Sequence, residues 1–195
     1  MNYTAYYRFG VTPWEQYAEA AADSVAAMLD GEEAARDRLG RALDLGCGRG
    51  VFSAELARRG WEVVGLDLVP KAIEAARARS IPGATFTVGD VTDLASAGLG
   101  TFDLLLDIGC FQGLDAEQRA AYGRGVTALA KPEASLLMLE FGPTRLRSMI
   151  GGVSETEVRE ALPDWDLDSS APAPTKGLGW PMNRTSPHWY RFTRA

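Results

Sequence analysis

The part of this chain best suited to chemistry is a run of glycines closing a short apolar segment, Leu43-Asp44-Leu45-Gly46-Cys47-Gly48-Arg49-Gly50. Glycines there permit a tight turn and let a ligand lie against bare backbone. The spacing is Gly-x-Gly-x-Gly rather than the Gly-x-Gly-x-x-Gly of dinucleotide sites, and no Lys-Ser/Thr pair follows, which excludes a P-loop. Asp67 closes a second apolar run, Val63 to Asp67, some twenty residues further on. A carboxylate so placed can accept from both hydroxyls of a ribose; the alternative is an N-cap for a helix opening at Pro70. Asp90, in Gly89-Asp90-Val91, ends a third run, where it either receives the exocyclic amine of an adenine or holds a turn. Asp107 ends a fourth. His188 is the only histidine and stands just before the last apolar run. It is either a base for a phenol, thiol or amine, or a packing or surface residue.

These residues need a scaffold that gathers strand ends. Trp14 to Leu29 has apolar residues at helical spacing, with Thr12-Pro13 as a start and Gly31 as a stop. Ala42–Leu45, Glu62–Leu66, Ala84–Val88, Phe102–Ile108 and Ser135–Phe141 read as buried strands. Helices are expected over Val51–Arg59, closed by Gly60, then over Pro70–Arg79 and Ala116–Ala130. Such alternation predicts a parallel sheet covered on both faces, with right-handed crossovers. After a short helix, Glu155–Leu162, two further strands follow at Asp164–Ser170 and Trp189–Thr193. The Pro/Gly-rich loop between them favours a hairpin, so the last strand is expected to run antiparallel.

At 195 residues with 46% hydrophobic and 24% charged side chains, the chain fits one globular α/β domain. No apolar run is long enough to span a bilayer, and Met1 to Gly10 lacks the pattern of a secretory signal. Cys47 and Cys110 are too few for a disulfide scaffold or a cysteine-rich metal site, and no metal is expected; a reducing cytoplasm fits. The net charge of −6 weighs against a nucleic-acid partner, which calls for a basic stripe. The basic groups at Arg36–Arg41 and Arg145–Arg147 read as solvated faces. A small-molecule substrate is the default, and nothing in the sequence sets the number of subunits.

Together these segments resemble the class I methyltransferases that use S-adenosylmethionine. Leu43–Gly50 looks like the family's first motif, Val63–Asp67 its second, Gly89-Asp90-Val91 its adenine motif and Phe102–Leu114 its fourth. The resemblance runs from about residue 40 to the C-terminus. It implies a Rossmann-like, doubly wound seven-stranded sheet of order 3-2-1-4-5-7-6 with strand 7 antiparallel. It also implies site residues. Asp44, Gly46, Cys47 and Gly48 would face the amino-acid part of the cofactor, with Gly50 permitting helix packing. Asp67 and Leu68 would hold the ribose, and Asp90 and Val91 the adenine. Asp107 and Ile108 would lie near the methionine end, through backbone or side chain. S-adenosylhomocysteine would be the product.

Direct displacement at an activated methyl needs alignment and exclusion of water, and a base only where the acceptor must lose a proton. Phe9-Gly10-Val11-Thr12-Pro13-Trp14 resembles a segment ahead of the core in thiopurine, thiol and halide methyltransferases. Asp107–Leu114 resembles the fourth motif of that group and of tellurite-resistance methyltransferases. This likeness puts Trp14 over the cofactor, against its alternative as a packing residue. The whole chain would then be a single domain, with residues 1–40 closing the pocket over a core of 41–195. Cys110, Trp180 and Tyr190 are candidate substrate-pocket residues, although a buried, unreactive thiol is the more common fate of a cysteine placed like Cys110. Residues 1–15, 142–153 and 171–188 would form the lid. The expected reaction is methyl transfer to a small thiol, halide, phenol or quinol. The rivals are methylation of a macromolecule, a non-catalytic cofactor-binding subunit, and a dehydrogenase, the last disfavoured by the glycine spacing.

Overall fold

The computed structural model describes residues 13–143, 152–175 and 184–195, the side chains of residues 13–20 excepted. In chain order the elements are α1 (Pro13–Ala34), β1 (Arg41–Leu45), α2 (Val51–Arg59), β2 (Glu62–Asp67), α3 (Pro70–Ala78), β3 (Ala84–Val88), β4 (Phe102–Ile108), α4 (Ala116–Leu129), β5 (Ala130–Phe141), α5 (Glu155–Ala161), β6 (Trp165–Pro172) and β7 (Pro187–Arg194). The seven strands form one sheet of order β3-β2-β1-β4-β5-β7-β6, as expected. β1 to β5 are parallel, and β7 runs antiparallel to both β5 and β6. All carboxyl ends of β1 to β6 therefore share one edge with the start of β7.

Side chains alternate between the two faces of each strand. Leu43, Leu105 and Leu136 pack on one face with Tyr122 and Val126 of α4. Ala42, Leu104 and Leu137 pack on the other with Val25 and Leu29 of α1 and Leu56 of α2. Each wholly buried aliphatic side chain contributes about 1.5–3 kcal/mol. Helix starts are fixed locally: Asp115 and Gln118 form a capping box on α4, as do Ser154 and Glu157 on α5.

Three expectations are corrected. Gly31 does not stop α1, which continues to Ala34. Buried Glu32 anchors the extra turn by pairing with Arg36 at 2.5 Å and with Arg191 at 2.9 Å. Those contacts outweigh the roughly 1 kcal/mol cost of a helical glycine. β5 starts at Ala130 rather than Ser135, since Pro132 and Glu133 (φ 61°) are absorbed at a register shift opposite Phe102 and Leu104. Finally, Arg36 and Arg41 are pinned rather than solvated. Arg36 also donates to the Asp103 carbonyl at 2.9 Å, and Arg41 to the carbonyls of Leu99 and Thr101. Among the described residues no helix is long and apolar enough to cross a membrane, and no cluster of His, Cys, Asp or Glu is arranged to hold a metal ion.

Candidate active site

The glycine turn leaves β1 at the carboxyl edge with all three glycines left-handed, at φ 70°, 54° and 73° for Gly46, Gly48 and Gly50. Only glycine adopts this run without strain. Two of them are also required by close approach. A Cβ on Gly46 would lie 2.9 Å from Cys110 Cβ, and one on Gly50 would lie 2.8 Å from the Phe86 ring. The second contact brings the start of α2 against β3. Cys47 is spent within the turn: its N–H donates to the Leu66 carbonyl at 3.0 Å and its carbonyl accepts from Gly50 at 2.9 Å. Its side chain packs with Ile73, Ala76 and Phe86, and burial pushes its thiol far up.

Asp67 is not the N-cap of α3, a place taken by Val69, and its carboxylate instead ties the glycine turn to the chain entering that helix. Oδ2 accepts the Gly48 N–H at 2.9 Å and Oδ1 accepts the Val69 N–H at 2.8 Å, at the entry to α3. Each oxygen keeps a second lone pair. Burial raises this carboxyl, and the two amides oppose that shift. Asp44 is 2% exposed and accepts the Ser53 hydroxyl at 2.5 Å. Burial first, with the charges of Asp107 and Asp67 adding to it, pushes Asp44 up to about 7. Asp90 is exposed, and its Oδ1 accepts from the backbone and the hydroxyl of Thr92 at 2.8 and 2.7 Å. Leu68 is 57% exposed beside Asp67, whereas Val91 is buried.

Asp107 proves wholly buried, so its side chain works inside the protein. Oδ1 accepts the Cys110 N–H at 2.8 Å and Oδ2 the Tyr122 hydroxyl at 2.8 Å. That leaves its backbone and that of Ile108 as the groups at the edge. Cys110 is partly buried against Gly46, and burial and four surrounding acids push its thiol well up.

His188 lies within β7, opposite Glu140 of β5, so it stands at the carboxyl edge. Its ring stacks on Tyr190, with centroids 6.2 Å apart. Nδ1 lies 3.2 Å from the Ser186 carbonyl. A carbonyl only accepts, so a hydrogen bond there puts the proton on Nδ1 and the lone pair on Nε2. Tyr190 itself is 3% exposed, beneath the histidine rather than on the surface. The side chain of Trp14 and all of Trp180 lie outside the described residues, as do most of the lid segments.

The sequence reasoning passed over Glu140, Gln112, Tyr122 and Arg119, which form a polar layer under the edge. Glu140 is 1% exposed and accepts the Gln112 N–H at 2.9 Å, and the Gln112 side chain accepts the Phe141 N–H. A signal was present: a single carboxylate in the apolar run Leu136 to Phe141 must find a buried partner.

Residues 42–133 match the family described as Methyltransferase domain. The chain is 33% identical over 142 residues to the 2-heptyl-1-hydroxyquinolin-4(1H)-one methyltransferase of Mycobacteroides abscessus, covering 69% of this chain and 62% of that one. It is 30% identical over 127 residues to the ubiquinone biosynthesis O-methyltransferase of Xanthomonas axonopodis pv. citri, covering 63% and 52%. The chain thus spans between half and two thirds of the length of these relatives. A solved TehB-like methyltransferase from Corynebacterium glutamicum superposes with a TM-score of 0.68 over 93% of this chain and 97% of that one. Its 22% identity speaks for the fold. With four motifs in order, this sheet and these relatives, the chain carries a methyltransferase domain over residues 42–133 on the Rossmann-like sheet of the S-adenosylmethionine-dependent methyltransferases.

Proposed function

We propose that this chain transfers the methyl group of S-adenosylmethionine to a small-molecule nucleophile, with the hydroxyl oxygen of an aromatic or quinol-like ring as the preferred acceptor. The observation that carries this is the gathering of Asp44, Asp67, Asp90 and Asp107 around the left-handed glycine turn. Such an edge is negative, which suits a cofactor with a cationic ammonium and a cationic sulfur. Bound there, S-adenosylmethionine supplies a methyl already activated by its sulfonium. Asp44, Gly46 and Gly48 hold the amino-acid end, with Cys47 shaping the turn. Asp67 and Leu68 hold the ribose, Asp90 and Val91 the adenine, and the backbone of Asp107 and Ile108 the methionine end.

The names of the two relatives support a ring hydroxyl over a thiol or halide, although those options share the same site. His188 is the base in this proposal, with Nε2 free to take the acceptor's proton. Tyr190 backs it, and Cys110 and Trp180 line the acceptor side. The chain acts as a single domain in which residues 1–40, with Trp14, close the pocket over the core of 41–195. The packing of α1 onto β1 and β4 through Val25 and Leu29 supports that arrangement.

The test is release of S-adenosylhomocysteine on mixing chain and cofactor with a panel of phenols, quinols, hydroxyquinolones, thiols and iodide. Turnover confined to the ring hydroxyls is the expected result. Turnover on thiols or iodide alone overturns the acceptor class. Cofactor binding by calorimetry without any turnover points to a non-catalytic subunit or a macromolecular acceptor.

A further inference from the structure

Two carboxyl groups beneath the carboxyl edge are removed from water, Asp107 at 0% and Glu140 at 1% exposure. They sit on neighbouring strands, β4 and β5, within hydrogen-bonding reach of each other. Two ionised carboxylates only accept, so a hydrogen bond between them requires a proton on one. The donors around them are unevenly shared. Asp107 accepts from the Cys110 N–H at 2.8 Å, the Phe111 N–H at 3.4 Å and the Tyr122 hydroxyl at 2.8 Å. Glu140 accepts only the Gln112 N–H at 2.9 Å, and its Oε1 has no donor among the described residues. The uneven donors favour the anion on Asp107 and the proton on the Glu140 side of the pair.

The surrounding charges agree. From α4, Arg119 acts on Glu140, but it is paired with Glu157 of α5 at 2.8 Å. Tyr122 of α4 and Cys110 of the loop face Asp107, and Asp44 of β1 adds a further acid. On β7, His188 lies opposite Glu140, and Tyr190 follows it on the same face. One guanidinium thus stands against three carboxyls, Asp107, Glu140 and Glu157, and holding two bare anions in contact there is costly.

We propose that Asp107 and Glu140 hold a single proton between them, and that this pair is the positioning device that locks the loop of residues 109–114 against the glycine turn. Burial, then the charge of Asp107, raises the Glu140 carboxyl well above the carboxylate range. All three amides that the pair accepts, those of Cys110, Phe111 and Gln112, belong to this loop. Gln112 ties it further to the end of β5 through the Phe141 N–H, and Cys110 abuts Gly46. Losing the shared proton sets two anions side by side and loosens those amides. The bearing of this clamp on methyl alignment rests on the proposed function; the proton itself does not.

The experiment needs no ligand, so a silent acceptor panel leaves it intact. The whole chain, labelled with carbon-13 at its glutamate side-chain carboxyls, is titrated by NMR from about pH 6 to pH 10, well above the ordinary glutamate value. One glutamate carboxyl stays protonated at pH values where unperturbed glutamates are ionised. That signal is absent in Glu140→Gln, whose amide keeps an N–H for Asp107 and an oxygen for Gln112. Hydrogen exchange at Cys110, Phe111 and Gln112, corrected for intrinsic rates, accelerates roughly tenfold or more as the wild-type pair loses its proton. In Glu140→Gln it does not. Full ionisation of every glutamate at neutral pH overturns the proposal, as does parallel acceleration in both proteins. Should Glu140→Gln fail to fold, the wild-type titration decides alone.

Discussion

The carboxylate of Asp67 accepts the backbone N–H of Gly48 at 2.9 Å, so the second strand holds the glycine turn of the first in its shape. Its other oxygen accepts the Val69 N–H at the start of α3. A residue that only met a ligand would leave the unliganded protein's stability untouched. Here Asp67→Asn keeps one acceptor and turns an N–H₂ toward the other amide, leaving a buried donor unpaired at a cost of about 1–3 kcal/mol. We expect a lower melting temperature without ligand and weaker binding of S-adenosylmethionine, read by thermal unfolding and calorimetry. An unchanged melting temperature would limit Asp67 to ligand contact.

The strands that build this edge were legible because each is a short apolar run stopped by Gly, Asp or Pro. Ala84–Val88 and Phe102–Ile108 match their expected bounds. What escaped was decided by distant partners. Gly31 is helical because Glu32 meets Arg191, 159 residues away, and Pro132 is tolerated in β5 because the sheet shifts register there. Of the site, the glycine turn and the strand-end aspartates could be placed from the sequence. The layer of Glu140, Gln112, Tyr122 and Arg119 could not, since only the pairing of β4 with β5 and the packing of α4 bring it together.

In the proposed site, Asp44 should make cofactor binding depend on pH. Its folded value of about 7 lies above the unfolded value of 3.8. The folded state therefore holds the extra proton between these limits, and stability falls as pH rises through that window. The loss is on the order of a few kcal/mol. Asp44→Asn should flatten the decline, measured as denaturant midpoints from about pH 4 to pH 8. A cationic ligand favours the ionised form, so binding of S-adenosylmethionine to the wild type should tighten through neutral pH and release a proton. Calorimetry in buffers of different ionisation enthalpy reads that release directly. Identical enthalpies in all buffers would show that Asp44 does not meet the cation.

As the proposed base, His188 should matter to the rate only where the acceptor still carries its proton. General-base assistance contributes typically 10²–10⁴-fold. His188→Ala should therefore lower kcat by about 10² or more on weakly acidic phenols, with KM little changed. On acceptors already ionised at the assay pH the same variant should keep most of its rate. The ratio of wild-type to variant kcat, plotted against acceptor acidity, checks this. A flat plot would leave His188 a packing residue over Tyr190.

Gly123 joins the site to the stability of the far face. It lies where α4 crosses α5, and an added Cβ there would fall on the carbonyl oxygen of Ala161. That atom is backbone and cannot swing away, so Gly123→Ala must push the helices apart, at a cost of about 1–3 kcal/mol or more. These helices carry Tyr122, Arg119 and Glu157, so the displacement reaches Asp107 through the Tyr122 hydroxyl. Gly31→Ala is the contrasting substitution. It is helical, with nothing within 4 Å of the new methyl, so it should stabilise by up to about 1 kcal/mol. Urea midpoints of the two variants should move in opposite directions. Cofactor affinity should fall in Gly123→Ala and hold in Gly31→Ala, which separates damage carried through α4 from a general effect of adding a methyl to a helix.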